Sequence, residues 1–329
     1  MGARRDDRSG RNDHSPGDGE FAVGLCQYEF GASTSSLDDL LGRTEKLFER
    51  AGEADLYVLP ELFVTDCLDA ADEEVATLDE DDRETFHDFL VDAADRRDAV
   101  VVGGSYNVTE DGETYNRCPV AVPGTGVKIY DKSNPTPEER ESGKCEGTSR
   151  PPVVEHRGVG IGVAVCYDVE FPELVRDLAD RGAEVIAVPS WTASEAGYQR
   201  VSRCAAGRAV ENQCFVAQVS AVGARADESD AAGEPGGASA TGRSAVYAPC
   251  DDVVGPHGTR LSVPRDEHAA ATCSVSVADL RKSREDASVR PYADAKRSNE
   301  RKGKSSGRDG KTGERRGETG GRRGTRTED

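Results

Sequence analysis

Lysine is scarce in this chain. Nine lysines occur in 329 residues: Lys46, Lys128, Lys132, Lys144, Lys282 and four from Lys296 onward. Methionine and tryptophan appear once each, and aromatic residues make up only 5%. No apolar run approaches the roughly 20 residues a membrane-spanning helix needs, so no membrane role is expected. The polar opening MGARRDDRSGRNDHSPGDGE carries no apolar core of the kind a secretory signal requires. Cysteine is present in an odd number of nine, without a C-x-x-C pair or a paired His/Cys spacing. That pattern argues against a disulfide framework and a zinc ribbon, and fits mostly buried thiols in a reducing cytoplasm. Cys26 and Cys273 alternate with apolar residues and read as core positions on strands.

Acid is what the chain has instead. Asp and Glu number 62 against 42 Lys and Arg, a formal net charge of −20. The strand-like segments are plainly apolar, so the carboxylates must lie on the surface. A dense carboxylate shell with lysine largely replaced by arginine fits a protein adapted to a high-salt cytosol, where screening relieves self-repulsion. It also argues against a nucleic-acid partner for the folded body. Charge runs the other way from Lys296 to Asp329, where Lys and Arg outnumber Asp and Glu twelve to six among Gly and Ser. Residues 1–20 and 296–329 therefore read as disordered ends, flanking one folded domain over 21–295. Within it, strand and helix patterns alternate. FAVGLCQYEF opens a strand, LDDLLGRTEKLFERAGEA is an amphipathic helix, and a second helix covers about 80–97 before the strand AVVVGGSYNV. NRCPVAVPGTGVKIYDK and VVEHRGVGIGVAVC read as hairpins, residues 223–242 as an acidic Gly-rich loop, and TCSVSVADLRKSRED as a last strand entering a short helix. Periodicity alone gives an α/β fold of two or more layers.

Three segments carry chemistry. In GIGVAVCYDVEFPELVRDLADRGAEVIAVPSW, Cys166 ends a β-branched run just before a helix that closes at Gly182. A cysteine at a rigid strand end, beside free backbone N–H groups, is placed for nucleophilic attack. In DLYVLPELF, Pro60 stops the strand and Glu61 follows, flanked by apolar side chains that suit a general base. In GVKIYDKSNPTPEER, Lys132 follows a short strand and could set a fixed positive charge beside a thiolate or an oxyanion.

Together, in the order Glu61, Lys132, Cys166, these segments resemble the carbon–nitrogen hydrolase (nitrilase) superfamily over residues 21–295. The motifs PE, YDK and CYDxxFPE occur between plausible strands, and the family pattern R-A-x-E-N appears as Arg208 to Asn212 in GYQRVSRCAAGRAVENQCFVAQVSAVG, read as a helix. The resemblance implies an α-β-β-α sandwich with a four-layer core, a homodimer or higher homo-oligomer, and a Glu–Lys–Cys triad needing no metal or organic cofactor. Glu61 would be general base and acid, Lys132 the oxyanion stabiliser, and Cys166 the nucleophile that forms a thioester. A second glutamate after the lysine is implied as well. The run PEERE offers Glu138, Glu139 and Glu141, with Glu138 or Glu139 favoured. Tyr167 and Asp168 would shape the turn at Cys166, Tyr167 and Trp191 would wall the substrate pocket, and Arg208 with Glu211 would form a structural ion pair.

The implied reaction is hydrolysis of a non-peptide linear amide, of the ω-amidase, aliphatic amidase or N-carbamoyl amidase type, releasing ammonia or an amine. CYDVEFPE is closer to the amidase form of the motif than to the nitrilase form. A nitrilase acting on a C≡N group, or a non-catalytic binding or scaffold member of the same fold, are the alternatives. An Arg or Lys near the pocket would select a carboxylate-bearing substrate, but no sequence position singles one out.

Overall fold

The computed structural model describes residues 19–31, 34, 36–68, 76–224 and 239–298. The two ends read as disordered lie almost wholly outside the described residues, as does most of the acidic loop at 223–242.

The first half builds one sheet and its helical cover. Strand β1 (Glu20–Gln27) is followed by helix α1 (Leu37–Ala51), β2 (Leu56–Val58), α2 (Glu80–Arg97), β3 (Val100–Val102), β4 (Tyr106–Glu110), β5 (Glu113–Val122), β6 (Gly126–Asp131) and the short α3 (Pro137–Glu141). The second half supplies β7 (Val153–His156), β8 (Val159–Val163), α4 (Pro172–Asp180), β9 (Val185–Ser190), α5 (Glu195–Asn212) and β10 (Phe215–Ser220). It continues through β11 (Val222–Gly223), β12 (Ala240–Thr241), β13 (Ala245–Tyr247), β14 (Thr259–Ser262), β15 (Ala269–Ser276) and α6 (Val277–Asp286). One sheet runs β15-β1-β2-β3-β5-β4, with β6 also on β5; the other runs β14-β13-β10-β9-β8-β7. Strands β1, β2 and β3 are parallel to one another, as are β8, β9 and β10.

Side-chain alternation turns the two sheets into four layers. Val23, Leu25, Val58, Val100 and Val102 share a core with Ile161, Val163 and Val185 of the other sheet. Their neighbours Cys26, Tyr57 and Val101 face the opposite way, into a core closed by Leu40, Leu47 and Phe48 of α1 and by Phe86 and Leu90 of α2. On the far side, Val175 and Leu178 of α4 and Val201, Ala205 and Ala209 of α5 close the second sheet. Each large apolar side chain so buried is worth about 1.5–3 kcal/mol. The architecture is the α-β-β-α sandwich that the family resemblance implied. Cys26 is buried within it; Cys273 is only partly covered but packs on the core.

Two local readings change. The segment read as one strand over AVVVGGSYNV is two, β3 and β4, broken at Gly103–Ser105. Gly104 adopts φ +62°, and a Cβ there would lie 2.2 Å from the Pro60 carbonyl. The segment read as one helix after Gly197 turns at Gln213 (φ +43°) and continues as β10, whose run FVAQVS is wholly buried. Fully buried strands lack the alternation that would have marked the change of period.

Candidate active site

Glu61 sits on a turn that the broken strand makes possible. The Leu59 N–H still donates to the Val102 carbonyl (3.0 Å), Pro60 lies over Gly104, and the Leu62 N–H donates to Ser105 Oγ (2.9 Å). The carboxylate is buried and held at both oxygens. Oε1 accepts from Lys132 Nζ at 2.8 Å and Asn116 Nδ2 at 3.0 Å; Oε2 accepts from the Trp191 backbone N–H at 3.0 Å.

Lys132 follows β6 and is fixed along its backbone. Its N–H donates to the Asn116 carbonyl (2.9 Å), and its carbonyl accepts from the Gly147 N–H (2.9 Å). The ammonium bridges Glu61 Oε1 and Glu139 Oε2, the latter at 2.6 Å. Burial would strip its proton, but the two carboxylates outweigh burial and hold Lys132 charged well above the usual lysine range.

Glu139 is pinned by the cap of α3. Its Oε2 accepts from the Thr136 N–H (2.8 Å), while Thr136 Oγ1 accepts from the Glu139 N–H (3.2 Å), a reciprocal capping box. Asn116 Nδ2 reaches its other oxygen at 3.1 Å, and Lys144 Nζ lies 3.7 Å from it. Burial alone would raise the carboxyl; Lys132 and Lys144 reverse that and bring it down to about 2. The two favoured glutamates thus part company. Glu139 meets Lys132, whereas Glu138, one residue earlier, is exposed at the pocket edge. Glu141 is exposed and is not among the pocket residues.

Cys166 opens a 3₁₀ turn over Cys166–Glu170 straight after β8, in the left-handed region at φ +46°. A non-glycine residue there is strained by about 1–3 kcal/mol and needs its surroundings to hold it. Asp168 supplies part of that hold. It accepts from the Val165 N–H (3.1 Å), Tyr130 Oη (2.7 Å) and both nitrogens of Asn134 (2.9 Å each), tying the cysteine turn to the lysine loop. Arg208 supplies the rest, donating to the carbonyls of Val169 and Glu170 at 3.0 Å each while pairing with Glu211 at 2.9 Å. Cys166 Sγ donates to the Trp191 carbonyl at 3.4 Å. Burial first, and then the Glu61 carboxylate, push the thiol well above its usual range against the opposing pull of Lys132. Both influences favour the protonated thiol over the thiolate.

Glu61, Lys132, Glu139 and Cys166 line one cavity of about 530 Å³, whose wall also includes Tyr167 and Trp191. At its mouth Arg200 Nε donates to both Glu170 oxygens, at 2.8 and 2.9 Å. Sequence reasoning missed Asn116, which joins the two buried glutamates, and Lys144. Among the described residues no cluster of three His, Cys, Asp or Glu side chains is arranged to hold a metal, and no helix is long and apolar enough to cross a membrane. All nine cysteines are free.

Comparison with known proteins adds four findings. The family model described as carbon-nitrogen hydrolase matches residues 22–261. The probable hydrolase YhcX of Bacillus subtilis is 32% identical over 212 residues, covering 62% of this chain but only 41% of that protein. The 2-oxoglutaramate amidase of the same organism is 28% identical over 245 residues, 73% of this chain and 88% of the relative. Among solved structures, the carbon-nitrogen hydrolase of Helicobacter pylori superposes with a TM-score of 0.65 at 18% identity, covering 81% of this chain and 92% of that one.

Proposed function

The chain belongs to the carbon–nitrogen hydrolase family, and on that premise we propose that it hydrolyses a small non-peptide linear amide through a thioester on Cys166. One observation carries the reading: Glu61, Lys132 and Cys166, from three distant segments, line the same cavity, with the Lys132 ammonium bridging Glu61 and Glu139. Cys166 Sγ attacks the amide carbon as Glu61 takes the thiol proton. Charge developing on the carbonyl oxygen is met by Lys132 and by the Tyr167 N–H, at the open start of the 3₁₀ turn. The C–N bond breaks as Glu61 returns the proton to nitrogen, and ammonia or an amine leaves. Water then attacks the thioester and gives its proton to Glu61. Collapse of that second intermediate frees the carboxylic product and returns the proton to sulfur. Glu139 positions Lys132, and Tyr167 and Trp191 wall the substrate.

Relatives named as amidases support amide chemistry over nitrile chemistry. The same proposal covers the whole protein: one catalytic domain over 21–295, acting as a homodimer or higher homo-oligomer by analogy with the family, in a salt-rich cytoplasm that the acidic, lysine-poor composition supports. Rapid-quench peptide-mapping mass spectrometry with a turned-over amide tests the chemistry. An acyl adduct on the Cys166 peptide is expected, and an adduct elsewhere would refute the assignment.

A further inference from the structure

Resting on the amide-hydrolase reading, we infer that Glu138 tunes this pocket toward amides bearing a cationic group and against amides bearing a carboxylate. The sequence left open whether an Arg or Lys near the pocket selects an anionic substrate. In the structure each cation of the lining already faces a carboxylate. Lys132 is shared by Glu61 and Glu139, Lys144 approaches Glu139, and Arg200 spans both oxygens of Glu170. Glu138 is the carboxylate left over. It lies in the first turn of α3, is exposed at the cavity, and has no hydrogen bond or ion pair to its carboxylate among the described residues. Glu139 beside it is locked inward by the capping box, so two adjacent glutamates divide between the reacting centre and the entrance.

The charge balance of the pocket follows. A substrate carboxylate would enter against Glu138 and find cations already neutralised; a substrate ammonium would find a partner. The net charge of −20 adds a field of the same sign around the entrance. Glu138 is therefore a specificity residue, acting on the far end of the substrate rather than on the scissile bond.

Three amides of matching length separate charge from shape: pentanamide, its terminal-ammonium counterpart γ-aminobutyramide, and its terminal-carboxylate counterpart glutaramate. Their kcat/KM values are compared in wild type and Glu138→Gln, at the lowest KCl that preserves the circular dichroism spectrum. Binding of the same three to Cys166→Ala, with and without Glu138→Gln, is measured by calorimetry. Wild type should favour γ-aminobutyramide over glutaramate by about tenfold, and Glu138→Gln should cut that ratio about fivefold, the scale of an exposed charge that attracts one ligand and repels the other. A preference for glutaramate, or a ratio that Glu138→Gln leaves unmoved, would overturn the inference and shift attention to the remaining N–H groups of Arg200. If no amide is turned over, the hydrolase reading fails by itself. The inference then stands on the calorimetric order if Glu138→Gln weakens it, and falls if no charge order is seen.

Discussion

Lys132 keeps its charge while buried between two carboxylates, and that single placement has two consequences. On the proposed mechanism Lys132→Ala removes an oxyanion donor, so turnover should fall by about 10²–10³. It also leaves Glu61 and Glu139 buried without their cation, a loss on the order of 3–5 kcal/mol that thermal unfolding would register. Wild-type turnover in that variant would remove Lys132 from the chemistry. Glu139 gives a pH signature. Its folded-state carboxyl lies at about 2, below the ordinary glutamate value of 4.5, so its stabilisation is complete above that value and is lost as pH falls toward 2. Denaturant titrations across that window should show a steeper acid loss in wild type than in Glu139→Gln. At this scale the motifs placed Glu61, Lys132 and Cys166 near strand ends, and each lies within three residues of one. Asn116 was illegible, because its two carboxylate partners lie 55 and 23 residues away and meet it only through folding.

At the scale of elements, the site depends on turns more than on the strands that deliver them. Gly104→Ala would force a side chain into the left-handed region and against the Pro60 carbonyl and Phe63 ring, displacing the turn that bears Glu61. Activity and melting temperature should both drop, and an unchanged variant would show that the turn does not rely on Gly104. Arg208 holds the far end of the cysteine turn through two carbonyls. Arg208→Lys keeps the charge but loses the planar fork, so kcat should fall more than KM rises, with slower alkylation of Cys166 by iodoacetamide. A variant that loses stability but alkylates normally would reduce Arg208 to a purely structural part. Helix α2 was readable to its ends, since Asp79 caps it and its apolar residues repeat at helical spacing. The break between β3 and β4 was not, because it is set by Pro60 approaching from another strand.

Across the whole molecule, the sandwich was legible as alternating strands and helices, but the layer order came only with the resemblance and the pairing of strands. Surface charge makes its own prediction. With 62 acidic against 42 basic residues, self-repulsion should destabilise the fold at low ionic strength, and molar KCl should raise its melting temperature. Indifference to salt would defeat the high-salt reading. The most direct test of the account is ammonia release from a panel of small amides in molar KCl, comparing wild type with Cys166→Ala of verified fold. The account predicts release from at least one amide by wild type and none above background by the variant; release that survives the loss of the Cys166 sulfur would contradict it.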